Sequence, residues 1–258
     1  MPELPEVETL CRQLRQVILG RRLLSVEVLD ERLGPPPAVA GLAVRQVVRR
    51  GKAVALLFHG GVAWKIHLRM TGRLLWETDY GLPVDHLRLI CHFDGGRLLL
   101  IDPRRFATVD FDDEAGPSGP PDPFAAEDPA GLRREAARRR LPVKAFLLDQ
   151  RLFPGIGNIY AGEILFAAAV DPRRPARDVT QEEWERIARA ARAILREAVR
   201  ARGTTVSDWR DLFGRPGEYQ HRLKVYDRRG GPCPRCGGEI VREKVCGRGS
   251  YHCPRCQR

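Results

Sequence analysis

Apolar residues recur at helical spacing near the start of the chain, at Leu10, Leu14, Val17 and Ile18, and the run stops at Gly20. Pro5 suits a helix's first turn and Glu6 and Glu8 suit its positive end, so the pattern predicts an amphipathic opening helix. From residue 23 the period changes. Short aliphatic and β-branched runs predict strands at 23–29, 44–48, 53–58, 62–67, 74–77, 87–93, 97–101 and 108–111, with Gly60-Gly61 and Gly95-Gly96 as hairpin turns. Many short strands separated by turns predict a sandwich or barrel.

The pattern then breaks. Residues 113–130 hold Pro117, Pro120, Pro121, Pro123 and Pro129 among acidic and small residues, which predicts a linker or a long surface connection. Beyond it the period becomes helical, at 132–140, 143–152 and 159–170. Thr180 and Glu183 form a capping-box signature ahead of a helix faced by Trp184, Ile187, Ala188, Ala191, Ile194 and Leu195, ending near Gly203. The last thirty residues are dense in Cys and Gly and too few to bury a core alone. The expected organisation is α+β, with a β-domain at 1–112, a helical domain at 131–228 and a small module at 229–258.

Composition sharpens this. The chain has 258 residues, 43% of them hydrophobic, and Lys plus Arg outnumber Asp plus Glu 44 to 33. The excess of cations points to a polyanionic partner, nucleic acid first among them, although a solvated basic surface has the same composition. No run approaches the length of a membrane span, and the first residues do not read as a secretory signal. The expected location is therefore the cytoplasm, where Cys11, Cys91 and Cys246 would stay as thiols.

The other four cysteines carry the sharpest motif. Cys233-Pro-Arg-Cys236 and Cys253-Pro-Arg-Cys256 match a two-knuckle zinc pattern. Four thiolates fill a tetrahedral shell and leave no open position, so the expected ion is one structural zinc. The hairpin between the knuckles is basic at Arg242, Lys244 and Arg248. Gly155-Ile156-Gly157-Asn158 ahead of a helix suits either a phosphate oxygen or an ordinary tight turn. Asp102-Pro-Arg104-Arg105-Phe106 follows a strand and reads either as a DNA wedge or as a core Phe with solvated arginines. His67 and Met70 are ambiguous too: a Met in such a place is more often core than functional, and a His more often a hydrogen-bonded structural residue.

Taken in order, these motifs resemble one family. Pro2-Glu3-Leu4-Pro5-Glu6-Val7-Glu8-Thr9, Arg50-Gly51-Lys52, His67-Leu-Arg-Met70-Thr-Gly72, Asp102-Pro-Arg104-Arg105-Phe106, Gly155-Ile-Gly-Asn158-Ile-Tyr160, Val225-Tyr226 and the four-cysteine finger span the chain. Together they resemble the formamidopyrimidine-DNA glycosylases, which are related to endonuclease VIII. The resemblance implies a β-sandwich domain with an N-terminal helix, a helix–two-turn–helix domain and a C-terminal zinc finger. It also implies a monomer acting on double-stranded DNA that contains oxidised bases or abasic sites.

The resemblance further implies roles. Once Met1 is removed, the Pro2 secondary amine would attack C1′ of the damaged nucleotide, with Glu3 as general acid/base and Glu6 ordering the terminus. A free α-amine titrates at about 7.7–8.0 in model peptides, within reach of the neutral form. Lys52 would reach the lesion's phosphate and base. Met70, Arg104 and Phe106 resemble the residues that fill the void left by a flipped base, while His67, Lys144, Asn158, Tyr226 and Arg248 would grip the backbone. The segment 204–222 resembles a loop that closes over the flipped base, with Gly214 and Gly217 as mobile points. Arg69 and Ala107 depart from the family, which usually has glycine at the first position and often at the second. The expected activity is excision of oxidised purines followed by strand cleavage. The alternatives are an oxidised-pyrimidine enzyme of the endonuclease VIII kind and a non-catalytic zinc-finger DNA-binding protein.

Overall fold

The computed structural model describes residues 1–79, 84–111 and 129–258; most of the expected linker lies outside them. The chain forms two compact units, Met1–Gly119 with Val199–Gln220, and Pro120–Ala198 with His221–Arg258.

The first unit opens with α1, Leu4–Ile18. Eight strands follow: β1 Leu23–Val28, β2 Val44–Arg50, β3 Ala53–Phe58, β4 Ala63–His67, β5 Arg73–Glu77, β6 Leu87–Phe93, β7 Gly96–Ile101 and β8 Thr108–Asp110. They make two antiparallel four-stranded sheets, ordered β1-β6-β7-β5 and β2-β3-β4-β8. One apolar cluster joins the sheets and α1. Val7, Leu10, Cys11, Leu14 and Ile18 enter from the helix, Val54, Leu56, Phe58, Trp64 and Ile66 from one sheet, and Trp76, Cys91, Phe93, Leu98 and Leu100 from the other. The helical residues recur at steps of three and four, which places them on one face.

Central strands read as unbroken apolar runs because both of their faces are covered. In β3, Val54, Leu56 and Phe58 enter the main core, while Ala55 and Leu57 form a second cluster with Ala63. β7 divides in the same way, with Leu99 and Ile101 on its other face. Edge-to-face contacts of Trp64 with Phe58 and Phe111 lock the centre, at 5.0 and 5.1 Å between ring centroids. Truncating such a buried aromatic costs about 3–5 kcal/mol. The expected turns at Gly60-Gly61 and Gly95 adopt positive φ, which their hairpins require.

The segment Val199–Gln220, which sequence order places in the helical domain, belongs instead to the first unit. Polar bonds explain this. Gln13 on α1 donates to Asp211 Oδ2 and accepts from the Leu212 amide, both at 2.9 Å. Trp76 N donates to Leu212 O at 2.9 Å, adding a rung to the edge strand β5, and the Leu212 side chain joins the main core.

The second unit contains α2 Pro129–Ala137, α3 Val143–Leu147, α4 Asn158–Ala168, α5 Gln181–Arg200, and a ribbon of β9 Val241–Val245 with β10 Arg248–His252. α2 starts three residues earlier than the pattern suggests, because proline suits a first helical position. α3 is shorter than the apolar run at 143–152. Asp149 draws the chain into a turn by accepting from Arg151 N at 3.1 Å. α4 is apolar all round and is the unit's buried centre. Phe146 packs edge-to-face on Phe153 and Trp184, tying α3, the following turn and α5 together. The capping box of α5 is formed, with Thr180 N to Glu183 Oε2 at 2.9 Å and Glu183 N to Thr180 Oγ1 at 3.3 Å. Among the described residues no helix is long and apolar enough to cross a membrane.

Candidate functional site

The first expected site residues lie together at the start of α1. Pro2, Glu3 and Glu6 are all buried. Glu3 is the N-cap, and Glu6 returns a capping-box bond, accepting from Glu3 N at 2.7 Å through Oε2. Its other oxygen accepts from Thr204 N at 2.7 Å. Glu6 therefore holds the chain terminus and the segment beginning at Gly203 against each other. The base of that segment, which is expected to be a mobile cap, carries hydrogen bonds of its own. Gly217 N donates to Thr205 Oγ1 at 2.9 Å, and Asp211 gathers the amides of Phe213 and Arg215.

Lys52 is buried beside the β3–β4 ladder, where Ala53 pairs with His67. Burial, with the charges of Arg69 and Lys52, pushes the His67 imidazole down to about 4. The ring is neutral at neutral pH, and its Nδ1 accepts from Arg69 N at 3.0 Å. Arg69 itself has φ 55, a conformation that favours glycine. The departure at this position is therefore accommodated with some backbone strain, and His67 clamps it.

Met70 and Phe106 resolve the sequence ambiguity about core or surface. They are 54% and 48% exposed, among the few large apolar side chains outside the core. The Arg104 guanidinium lies over the Phe106 ring at 4.6 Å. Arg105 is instead ion-paired to Asp30. An exposed Met and an exposed Phe–Arg pair suit insertion between bases.

In the second unit, expected residues from two elements converge on one carbonyl of a third. Lys144 of α3 is 1% exposed; its Nζ donates to Gly249 O at 3.2 Å and Ser250 Oγ at 2.7 Å. Asn158, at the first position of α4, donates to the same Gly249 oxygen at 3.1 Å. Arg248, the next residue back on the hairpin, is exposed. Lys144 was expected to grip DNA phosphates, but here its ammonium is turned into the protein and holds the hairpin that presents Arg248. The turn before α4 is braced by Gln150, which donates to Ile156 O at 2.8 Å and accepts from Gly155 N at 3.0 Å.

Tyr226 packs edge-to-face on Tyr251 at 5.2 Å. Its amide, with those of Lys224 and Val225, donates to the buried Glu163 carboxylate at 2.8–3.0 Å. Burial raises the Glu163 carboxyl above its ordinary value, and the three amides oppose that shift. Sequence reasoning missed Glu163; its signal was a lone acid inside an apolar helix.

The four cysteines lie with their sulfurs within 4.8 Å of one another. The contacts Cys233–Cys256 and Cys236–Cys253 measure 3.9 and 3.6 Å. A tetrahedron with metal–sulfur bonds of about 2.3 Å has edges of about 3.8 Å, so the set fits one zinc ion with a closed shell. Phe166, Val225 and Ile240 pack around Cys233 and Cys253, which fixes the module to α4.

The sandwich with its buried acidic N-terminus, the helical unit and the four-cysteine knuckle are each matched by a domain model of one class of DNA glycosylase. Family models match in the same order: the formamidopyrimidine-DNA glycosylase N-terminal domain at residues 1–109, its H2TH domain at 119–209, and the zinc finger found in FPG and IleRS at 230–258. The formamidopyrimidine-DNA glycosylase of Thermus thermophilus is 42% identical over 100% of this chain and 98% of its own. Two structures of the Lactococcus lactis FPG protein cover 100% of both chains. One is a point mutant with Fapy-dG-containing DNA, at TM-score 0.90 and 29% identity, and the other is the wild type with DNA containing an oxidised pyrimidine, at 0.89 and 30%. The chain belongs to the formamidopyrimidine-DNA glycosylase family.

Proposed function

We propose that this protein excises oxidised purines, 8-oxoguanine and formamidopyrimidines, from duplex DNA through the Pro2 amine and then cleaves the strand. As a family member it is a DNA glycosylase and AP lyase acting on damaged bases. The observation that carries the Pro2 chemistry is the start of α1, where a buried proline precedes two buried carboxylates at the helix's positive end.

After removal of Met1, the Pro2 nitrogen attacks C1′ and the glycosidic electron pair leaves with the base, which takes up a proton. The nitrogen sheds its proton and its lone pair breaks the C1′–O4′ bond, O4′ taking up a proton, and the resulting iminium draws electrons from the C2′–H bond. Loss of that proton expels the 3′ phosphate, and a second elimination expels the 5′ phosphate. Glu3 handles protons at the sugar, and Glu6 fixes the terminus through the Glu3 and Thr204 amides. Lys52 and neutral His67 contact the lesion strand. Met70, Arg104 and Phe106 occupy the void, and Arg104 pairs with the orphaned base. Asn158, Tyr226 and Arg248 bind the backbone, with Lys144 supporting Arg248 from behind. The protein works as a cytoplasmic monomer.

A second reading, preference for oxidised pyrimidines, is favoured by the oxidised-pyrimidine complex of the L. lactis relative. Single-turnover excision from 8-oxoguanine:C and thymine-glycol duplexes separates the two. Faster release of 8-oxoguanine is expected, and faster release of thymine glycol would reverse the order.

A further inference from the structure

The loop bearing Met70 and the loop bearing Arg104 and Phe106 are joined through one buried carboxylate. Asp102 is 1% exposed. Its Oδ1 accepts from Thr71 Oγ1 at 2.5 Å and from Arg104 N at 3.2 Å. Its Oδ2 accepts from Phe106 N and Ala107 N, each at 2.7 Å. Burial opposes ionisation, but the Thr71 hydroxyl and the amides of Ala107, Arg104 and Phe106 outweigh it and hold the carboxyl below its ordinary value.

A second carboxylate backs this arrangement. Buried Arg88 lies 3.6 Å from Asp102 Oδ2, donates to Ala107 O at 2.6 Å and donates to Asp30 at 2.6 Å. Asp30 also accepts from Arg105 Nε at 2.9 Å. Arg105, at φ 56, is thereby committed to Asp30. The two loops also touch directly. A Cβ on Gly72 would lie 2.5 Å from Leu68 O and 2.9 Å from the Ala107 methyl, so Gly72 packs against Ala107 with no room for a side chain.

We propose that Asp102 is a positioning residue. Through Thr71 it fixes Met70 relative to Arg104 and Phe106, so that the three side chains enter the duplex as one rigid prong. This rests on the void-filling role given to those three above. The physical case is one of preorganisation. Unstacking a base step is already unfavourable, and a wedge whose loops also had to order on entry would lose part of the gain. Charge-assisted bonds from fixed amides to a buried carboxylate remove that ordering cost beforehand.

Thr71→Val cuts the cross-loop bond and leaves the amide cradle of residues 102–107 intact, while Asp102→Asn alters both. Each variant is assayed for excision of 8-oxoguanine opposite C and opposite A, and for borohydride trapping on a single strand with a preformed abasic site, where there is no void to fill. The expected result is a fall in duplex excision of roughly tenfold or more, as loss of a bond to a charged acceptor implies, a C-to-A discrimination ratio moving toward one, and single-strand trapping within about twofold of wild type. Thr71→Ser should restore both duplex readouts. Unchanged duplex excision and discrimination in folded Thr71→Val would overturn the proposal. So would an equal fall on duplex and single strand, which would place the effect at the terminus rather than the prong. Failure of the wild type itself to trap would instead defeat the Pro2 chemistry.

Discussion

Gly203 has no room for a side chain because the Glu6 carboxylate fills the space. A Cβ there would lie 2.6 Å from Oε1, and the residue adopts φ +80. The Thr204 amide then bonds that same oxygen. A helix at the start of the chain and a turn almost two hundred residues later are thus fitted to each other around one carboxylate.

Gly203→Ala should therefore cost about 1–3 kcal/mol through backbone strain alone, and more if Glu6 is displaced. Urea denaturation measures the first effect. Single-turnover excision measures the second and should fall more than for Glu6→Gln, which keeps its shape and one acceptor.

The neutral His67 ring makes stability depend on pH. Its folded value of about 4 lies below the ordinary 6.5, so between these pH values the unfolded chain binds more protons. The stability it contributes is complete above about pH 6.5 and is lost as pH falls toward 4. Protonation would also set an Nδ1 proton against the Arg69 amide it now accepts from. The urea midpoint should drop from pH 7 to pH 5 in wild type and drop less in His67→Gln. Arg69→Gly removes one of the charges depressing the ring, so NMR titration should show the His67 pKa rise.

Removing zinc should separate DNA binding from chemistry. The four sulfurs anchor the hairpin whose Gly249 carbonyl receives Lys144 and Asn158. Chelation, or Cys233→Ser, should lower duplex affinity by roughly tenfold or more as Arg248 loses its support. Fluorescence anisotropy with one labelled abasic duplex checks this, and metal analysis should give one zinc per chain.

Glu163→Gln should weaken the junction between α4 and the zinc module. One carboxylate receives three amides, and the amide side chain presents a donor to one of them. A stability loss of about 1–3 kcal/mol is expected. Duplex affinity should fall with it, because Tyr226 is one of the three.

Much of this fold is legible from period alone. The strands announce themselves by apolar runs between Gly-Gly turns, and α5 by Thr180 and Glu183. The zinc set is legible because its spacing admits little else. What is hidden depends on partners far apart in sequence. Asp30 and Arg88 stand in no motif, and the motif that opens at Asp102 does not name its partners, until the sheets bring the three together in the interior. Lys144 reads as a basic side chain for phosphate, because the carbonyl it meets lies 105 residues further on. Residues 199–220 carry no apolar period, so nothing local reveals that Gln13 and Glu6 hold them to the first unit.

The central claim is a covalent bond between the Pro2 nitrogen and deoxyribose during turnover. Borohydride reduction on an 8-oxoguanine:C duplex, followed by mass mapping of the adduct, tests it most directly. The account predicts one adduct, on Pro2, absent when the terminal amine is blocked by a retained methionine. An adduct on a lysine, or undiminished trapping by the blocked chain, would contradict it.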